Sequence, residues 1–268
     1  MKNSIPGHII CKSTHPDGDL LVVERDGARY LYLGSDALQS AMELKNPHYL
    51  KLTYTQAMTA FMFFTPSPQR ALLIGLGGGA LAKFLLNIFH YIQIDAVELR
   101  EDVVRIAHSH FFTPHDARLQ ITLDDAFSYT KHHTRHSPEY YDLILVDAYD
   151  QNGLSPSVKH TEFYENCQRL LNRGGTLVFN MWAASSHQLK EHIEQLHLIF
   201  NTQPLCLPVP EKGNIIVFIG HPPFPKRKLK AFKPQAQQLE NTLGLPFNNY
   251  LSQLIKQHSR SWLQRLFA

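Results

Sequence analysis

The stretch that decides the fold reads Arg70-Ala-Leu-Leu-Ile-Gly-Leu-Gly-Gly-Gly-Ala-Leu-Ala-Lys-Phe84. Its apolar residues predict a buried strand over 72–74, and the residues after the glycines have helical spacing. Gly75, Gly77 and Gly79 lack the Cβ atoms that would keep a ribose or a phosphate away from the backbone, and a helix start offers unpaired N–H groups. The stretch therefore fits a turn that binds a dinucleotide or a nucleoside, and it also fits a plain strand-to-helix connector.

From Gln69 onward, strand-like and helix-like patterns alternate, which is typical of an α/β protein with a doubly wound parallel sheet. A further strand over 215–219 is predicted to pair antiparallel at the end of this sheet. The glycines of Arg173-Gly-Gly175 are predicted to stop the preceding helix. The predicted strands cover 71–74, 94–97, 119–122, 143–146 and 176–180, and the predicted helices lie near 80–89, 101–109, 126–132 and 161–171.

The segments on either side of the sheet have different patterns. The runs 20–24 and 28–33 are rich in β-branched and aromatic residues, and Asp26-Gly27 between them is a strong hairpin signal. Apolar residues recur at helical spacing over 49–64 and again over 247–266, where they predict an amphipathic helix that packs on its own domain or on a sister subunit. The predicted units are an antiparallel β unit over 1–45, a bridging helix over 46–68, a Rossmann-like domain over 69–221, and a linker with the C-terminal helix over 222–268.

Composition excludes several function classes. The 268 residues carry a net charge of +3, which is too small to indicate a nucleic-acid partner. No apolar run reaches the roughly 20 residues that a membrane span needs, and the N-terminus lacks the apolar core of a signal peptide. The three cysteines form no Cys-x-x-Cys pair, which favours a reducing compartment. We therefore expect a cytoplasmic protein with no membrane and no nucleic-acid partner.

Carboxylates follow the predicted strands at the edge where open α/β sheets bind their ligands. Glu98 ends the second strand, roughly 20 residues after the glycines. A carboxylate at this position is suited to accept hydrogen bonds from two ribose hydroxyls. It also fits a helix cap or an exposed strand end. Asp125 follows the third strand and could accept a hydrogen bond from an adenine amino group or cap the next helix.

The segment Asp147-Ala-Tyr-Asp150 follows the fourth strand and places two carboxylates and a phenol within four residues. Such groups are costly at the mouth of a buried strand unless they meet a cation or hydrogen-bond donors, so a cationic substrate is indicated. A metal pair is the alternative. Because the histidine clusters near 108–110 and 132–136 lie away from the strand ends, no metal site is predicted.

These motifs together resemble the spermidine synthase family of polyamine aminopropyltransferases, most closely its divergent bacterial spermidine synthase-like branch. The resemblance spans roughly residues 20 to 220. It implies a class I adenosylmethionine-dependent transferase domain with an N-terminal β lid, usually in a homodimer. The motifs that carry it are Ile74-Gly-Leu-Gly-Gly-Gly79, Val97-Glu98, Leu123-Asp-Asp-Ala126, Tyr141-Asp-Leu-Ile-Leu-Val-Asp-Ala-Tyr-Asp150 and Thr161-Glu-Phe-Tyr164.

The resemblance implies a role for each candidate in the nucleoside part of the site. Glu98 resembles the family's ribose ligand and Asp125 its adenine ligand. The segment Ala37-Leu-Gln39 resembles the one whose glutamine reaches the aminopropyl end of the nucleoside. The implied co-substrate is decarboxylated S-adenosylmethionine, or S-adenosylmethionine itself, with no metal.

In the amine part of the site, Asp147 resembles the family's catalytic carboxylate, which takes a proton from the attacking amine. Asp150 resembles the partner that holds it. Tyr54 lies where the family lines the pocket, and Tyr149 is expected to contact the substrate. The chemistry is sensible, because an amine of pKa near 10 is protonated at neutral pH and cannot attack until a base removes its proton. The implied partner is a small polyamine-type amine.

Three positions depart from the family's pattern. Gly78 stands where an aspartate usually meets the aminopropyl amine. The loop Pro208-Val-Pro-Glu-Lys-Gly213 lacks the usual tyrosine, and Asn180-Met-Trp182 stands where an acidic residue is common. Glu211 is a candidate substitute for one of these contacts.

The leading hypothesis is therefore aminopropyl transfer to a polyamine-type amine. Methyl transfer from adenosylmethionine is an alternative, since Gly78 removes the repulsion against the donor's carboxylate. A nucleoside-binding protein without catalysis is another. A nicotinamide-dependent dehydrogenase shares the glycine turn and Glu98 but leaves Asp147-Ala-Tyr-Asp150 unexplained.

Overall fold

The computed structural model describes residues 5–34, 38–136, 140–150, 153–182, 186–210, 213–222, 224 and 226–258. Its strands are β1 (His8–Ser13), β2 (Leu20–Arg25), β3 (Ala28–Leu33), β4 (Leu38–Glu43), β5 (Arg70–Ile74), β6 (Gln93–Glu98), β7 (Leu119–Leu123), β8 (Tyr141–Val146), β9 (Tyr149–Asp150), β10 (Gly153–Leu154), β11 (Leu171–Trp182), β12 (Leu205–Pro208) and β13 (Asn214–His221). Its helices are α1 (Thr53–Met58), α2 (Ala80–Ile88), α3 (Glu101–Phe111), α4 (Ala126–His136), α5 (Thr161–Leu170), α6 (Ser186–Phe200), α7 (Lys233–Leu243) and α8 (Phe247–His258), with 3₁₀ helices over Thr59–Phe63, Pro156–Val158 and Lys226–Phe232.

The central sheet has seven strands in the order β12-β13-β11-β8-β5-β6-β7. The five strands from β11 to β7 in this order are parallel, whereas β13 pairs antiparallel with β11, and β12 with β13. In β5, Leu73 packs in the core on one face and Leu72 and Ile74 in the core on the other, so the strand is apolar throughout. The predicted doubly wound α/β sheet is confirmed, as is the antiparallel strand over 215–219.

The chain order places a switch point between β5 and β8. From β5 the chain builds β6 and β7 on one side, and it then returns to build β8 and β11 on the other. Connections diverge at such a point and leave a crevice at the carboxyl ends of the strands.

The N-terminal sheet consists of β1 to β4, each antiparallel to the next. The predicted hairpin between β2 and β3 is confirmed: Asp26 and Gly27 have φ values of 51° and 70°, as a two-residue turn between twisted strands requires. The sheet shares a core with α3, since Leu31 and Met42 pack in one cluster with Phe111. It is thereby fixed beside the crevice of the central sheet.

Two sequence-based expectations about the elements are wrong in detail, and four elements have no prediction. The helix predicted over 49–64 is the short α1 followed by a 3₁₀ helix, because the residues before Thr53 form a turn and an extended entry. The glycines of Arg173-Gly-Gly175 do not stop a helix. The preceding helix, α5, ends at Leu170, and these glycines lie where the pairing of β11 with β8 shifts register. The helix α6 and the strands β1, β4 and β12 were not predicted.

The C-terminal helices pack on their own domain. In α8, Phe247, Leu251 and Leu254 are buried in the core that contains Phe63 and the strands β12 and β13. Trp262 and the later residues of the predicted amphipathic segment lie outside the described residues. Within the part of the chain that the structure describes, no helix is long and apolar enough to cross a membrane.

Candidate active site

A cleft of about 730 Å³ opens at the carboxyl ends of the central strands, at the switch point, with the N-terminal sheet on its other side. All the predicted site residues except Gly79 line it. Those that do are Gln39, Tyr54, Gly75, Gly77, Glu98, Asp125, Asp147, Tyr149 and Asp150. Residues that are far apart in the sequence are therefore brought to one cavity.

Different structural constraints require glycine at the positions of the turn. A Cβ on Gly75 would overlap the backbone carbonyl of Asp147, and one on Gly79 would overlap the side chain of Thr113. Both are thus required by close packing of the chain on itself. Gly77 has a φ of 52°, and its nearest neighbour would be the Ser40 Cβ at 3.8 Å. It is the glycine of the three that leaves open space for a ligand.

The carboxylate of Glu98 is held by the backbone of the glycine turn. Its Oε2 accepts the N–H of Leu76 at 3.0 Å, and its Oε1 accepts the N–H of Arg100 at 3.1 Å. Burial raises the pKa of Glu98, and these backbone hydrogen bonds oppose the rise. Glu98 therefore fastens the end of β6 to the turn, while its contact with a ribose stays a prediction.

Asp125 caps α4. Its Oδ1 accepts the backbone N–H groups of Phe127 and Ser128, each at 3.0 Å, and its Oδ2 accepts the hydroxyl of Ser157. The capping role considered from the sequence is therefore present. Because Asp125 also lines the cleft, a contact with an adenine amino group stays a prediction beside it.

Asp147 is oriented by two side chains from distant elements. The hydroxyl of Tyr54, from α1, lies 3.1 Å from its Oδ2, and the Nδ2 of Asn180, from β11, donates to its Oδ1 at 2.8 Å. Burial raises the pKa of Asp147, and both hydrogen bonds act against the rise. Burial also raises the pKa of Tyr54 well above its usual value, so its hydroxyl remains protonated and able to donate.

From the sequence, Asn180 is noted only as a departure from the family's pattern, whereas the structure gives it a central place in the site. Only 2% of it is exposed, and it connects three groups of the site. Besides donating to Asp147, its Oδ1 accepts the Nδ2 of Asn214 at 3.0 Å and its carbonyl accepts the hydroxyl of Tyr149 at 3.0 Å. An amide within the apolar run 177–182 of β11 is the signal that could have identified it, because a buried amide needs partners.

Asp150 lies in the short hairpin of β9 and β10, where it pairs with Gly153. Its carboxylate lines the cleft. The bonds that orient Asp147 come from Tyr54 and Asn180. The role of Asp150 as a further partner of Asp147 stays a prediction, and Glu211, the candidate substitute contact, lies outside the described residues.

The described lining of the cleft is strongly acidic. Its basic residue is Arg100, whose guanidinium is bonded to Asp102 at 2.7 Å and to the carbonyl of Gly18 at 2.8 Å. This balance fits a cationic ligand. Among the described residues no group of three histidine, cysteine or acidic side chains could hold a metal ion. The acidic lining residues are Asp17, Glu98, Asp124, Asp125, Asp147 and Asp150.

Gly78 has no room for a side chain. A Cβ there would lie 2.7 Å from the Ser40 Oγ and 2.8 Å from the Phe111 ring. Ser40, which lines the cleft, and Phe111 thus occupy the space into which a longer residue at position 78 would extend. A neutral hydroxyl borders the cleft at this point.

The chain is similar in sequence to proteins of one family. Residues 51–221 match the spermine/spermidine synthase domain. The chain is 30% identical over 234 residues to a polyamine aminopropyltransferase of Chromobacterium violaceum, covering 87% of this chain and 88% of the relative. It is 31% identical over 235 residues to one from Neisseria meningitidis serogroup A, with the same coverage of both chains.

Solved structures share the fold. A spermidine synthase in complex with the transition state analogue AdoDATO superposes with a TM-score of 0.67 at 18% identity, covering 84% of this chain and 80% of that one. Human methyltransferase-like protein 13 in complex with SAH gives a TM-score of 0.62 at 20% identity, with coverage of 74% and 93%. The domain match and the sequence relatives go further than the fold and confirm the predicted resemblance to a polyamine aminopropyltransferase-like enzyme. The chain belongs to the spermine/spermidine synthase family.

Proposed function

We propose that this chain transfers the aminopropyl group of decarboxylated S-adenosylmethionine to a small polyamine-type amine, with Asp147 as the general base. The observation that carries the proposal is the partly buried Asp147 carboxylate, which borders the cleft and is oriented by Tyr54 and Asn180. Family membership and the names of the sequence relatives support it.

The reaction is a displacement at carbon. The amine nitrogen attacks the aminopropyl carbon bonded to the sulfonium, the carbon–sulfur bond breaks, and its electron pair stays on sulfur as a neutral thioether. An ordinary alkylamine has a pKa near that of lysine, about 10.4, so it arrives protonated. Asp147 takes the proton as the nitrogen becomes nucleophilic. Burial raises the pKa of this carboxyl, which brings it closer to that of the amine and eases the transfer.

The charge of the cleft supports the same chemistry. Among the charged side chains of the described lining, acidic ones predominate. Both reactants are cations, whereas the nucleoside product is a neutral thioether. The field of the cleft therefore draws the reactants in and holds the thioether less tightly. Asp150 and Tyr149 would contact the amine in this scheme.

The nucleoside is proposed to lie along the glycine turn. Gly77 leaves space for it, Glu98 would accept its ribose hydroxyls, and Asp125 its adenine amino group. Gln39 would face the aminopropyl end. The two solved structures are complexes with AdoDATO and with SAH, which are consistent with a nucleoside of this type.

Replacing Asp147 by Asn tests the base. The substitution keeps the shape and removes the proton acceptor, so turnover of 1,4-diaminobutane should fall by about 10²- to 10⁴-fold. Binding of methylthioadenosine, measured by calorimetry, should change by less than about threefold. Asp17→Asn is the matched control, because it removes one negative charge from the rim of the same cleft without touching the base. Unchanged turnover in the Asp147 variant would refute the assignment.

Methyl transfer from S-adenosylmethionine is the second candidate, and the packing at Gly78 favours it. A hydroxyl from Ser40 borders the cleft there, and the described atoms nearest to a Cβ at position 78, from Ser40 and Phe111, include no carboxylate that would repel the donor's own carboxylate. Calorimetric titration with both nucleosides separates the two candidates. A clear preference for the carboxylated donor would contradict aminopropyl transfer. Appearance of a longer polyamine from a panel of diamines would exclude both methyl transfer alone and a binding protein without catalysis.

We also propose that the chain forms a homodimer in the cytoplasm. Light scattering of the purified chain at micromolar concentration gives its mass in solution, and a monomer mass would contradict the proposed assembly.

A further inference from the structure

We propose that Trp182 determines acceptor specificity by receiving the far, cationic end of the amine through a cation–π contact. This inference rests on the proposed aminopropyl transfer and names a specificity-determining residue of the same site. The acceptor would be a primary amine joined by a short aliphatic spacer to a second cation.

Trp182 is placed in the cleft by its register in β11. It pairs directly with Asn214 of β13 and lies two residues after Asn180. Residues two apart in a strand point to the same face, as do directly opposed residues of an antiparallel pair, so these three side chains share one face. The hydrogen bond from Asn214 to Asn180 is in keeping with this. Met181 points the other way and is buried in the core.

The exposure of Trp182 has no structural explanation in the described fold. The residue is 50% exposed although it ends a buried central strand, and it lines the cleft. One edge of its indole packs on the loop before β13, where a Cβ on Gly213 would lie 2.9 Å from the Trp182 Nε1. The strand end itself is fixed, since the Tyr149 hydroxyl binds the backbone of both Asn180 and Trp182. A large aromatic side chain is thus held at the cleft rather than buried.

The distance from the base fits a diamine. Asn180 donates to Asp147, and the next side chain on the same face, Trp182, lies roughly 7 Å further along the strand. An amine whose reacting nitrogen lies at Asp147 would therefore bring a second cation, a few methylenes away, to the indole. At this end of the face the two neighbouring side chains, Asn180 and Asn214, are neutral amides, so the Trp182 ring is the member of the three that attracts a cation.

The kinetic test compares two acceptors with the same four-carbon chain, 1,4-diaminobutane and butylamine, in wild type and Trp182→Leu. A cation–π contact is worth about 0.5 to 2 kcal/mol, so KM for the diamine should rise about 3- to 30-fold in the variant. Its kcat should stay within about twofold, and KM for butylamine should not change. Trp182→Phe should retain most of the diamine's affinity. Equal shifts for both amines, or no shift for the diamine, would overturn the proposal.

Tyr140→Leu is the matched control, because Tyr140 is 51% exposed but lies just before β8, at the amino ends of the parallel strands and away from the cleft. Both variants should keep the wild-type melting temperature within a few degrees. If wild type makes no aminopropyl product from any amine, the proposed function fails. If it turns over the diamine but Trp182→Leu leaves the ratio of the two KM values unchanged, only the present inference fails.

Fluorescence gives a readout that does not depend on turnover. The chain has two tryptophans, so in a Trp262→Phe background the emission comes from Trp182 alone. In the presence of methylthioadenosine, 1,4-diaminobutane should quench or shift this emission with a saturable dependence, and butylamine should have a much smaller effect. An equal effect of both amines, or none, would contradict contact of the far cation with the indole.

Discussion

In the part of the cleft proposed for the nucleoside, the carboxylates of Glu98 and Asp125 accept hydrogen bonds mainly from backbone N–H groups, and Asp125 also accepts the Ser157 hydroxyl. In the part proposed for the amine, Asp147 accepts them from the side chains of Tyr54 and Asn180, which come from other elements. We name these parts the nucleoside half, comprising the turn 75–79 with Glu98 and Asp125, and the amine half, comprising Tyr54, Asp147, Asn180 and Trp182. The carboxylates of the first are held mainly by main-chain donors, and the carboxylate of the second by side-chain donors.

This difference has consequences for how each half tolerates change. A site made of main chain is altered only by substitutions that disturb packing, so its changes should appear as lost stability. A site made of side chains can lose a donor while the fold persists, so its changes should appear as lost activity and altered pH dependence. Substitutions in the two halves therefore test whether stability and activity respond separately.

Gly78→Asp should have the largest effect on stability. Its Cβ would crowd the Ser40 Oγ and the Phe111 ring, and a carboxylate would be buried without a described partner. Overpacking and the buried charge together should lower the free energy of unfolding by about 3 kcal/mol, measured by urea denaturation.

Gly77→Ala is the control for Gly78→Asp, because its nearest neighbour would be 3.8 Å away and the main cost is the positive φ. It should lower the free energy of unfolding by about 1 to 2 kcal/mol. Adding Ser40→Gly to Gly78→Asp should recover part of the loss. Wild-type stability of Gly78→Asp would show that this half is not closely packed.

Asn180→Leu should leave the fold largely intact and reduce turnover by about 10- to 100-fold. The substitution removes the donor to Asp147 Oδ1, and losing a hydrogen bond to a buried charged group costs about 1 to 3 kcal/mol. Methylthioadenosine should bind as in wild type, since Asn180 makes no described contact with the nucleoside half.

The control for Asn180→Leu is Asn172→Leu, which removes a comparable amide donor, from Asn172 Nδ2 to Asp142, outside the cleft. It should leave turnover unchanged. If Asn180→Leu weakens nucleoside binding as much as turnover, the two halves are not separable and the comparison fails.

The same difference explains what the sequence could predict. The glycine turn, Glu98 and Asp125 lie at strand ends within short motifs, so local patterns were enough to propose them together. Asn180 and Asn214 act through contacts between β11, β13 and the segment after β8, which no local spacing records. The fold follows the same rule: β5 and β8 were predicted from apolar runs, whereas the edge strand β12 is four residues long and gives too little pattern.

Tyr54→Phe should have the smallest effect and the most specific one. The Tyr54 hydroxyl lies 3.1 Å from Asp147 Oδ2 and lowers the pKa of that carboxyl against the larger effect of burial, so its removal should raise the pKa further. The base acts only when deprotonated, and activity is lost as the pH falls through its pKa. The acid limb of the kcat/KM profile should therefore move to higher pH in the variant, with a loss of less than about tenfold at the optimum. Tyr49→Phe, a tyrosine outside the described lining of the cleft, should leave the profile unchanged. A shift of the acid limb to lower pH, or no shift, would show that the Tyr54 hydroxyl does not lower the pKa of Asp147. The side-chain donors would then not control the base of the amine half.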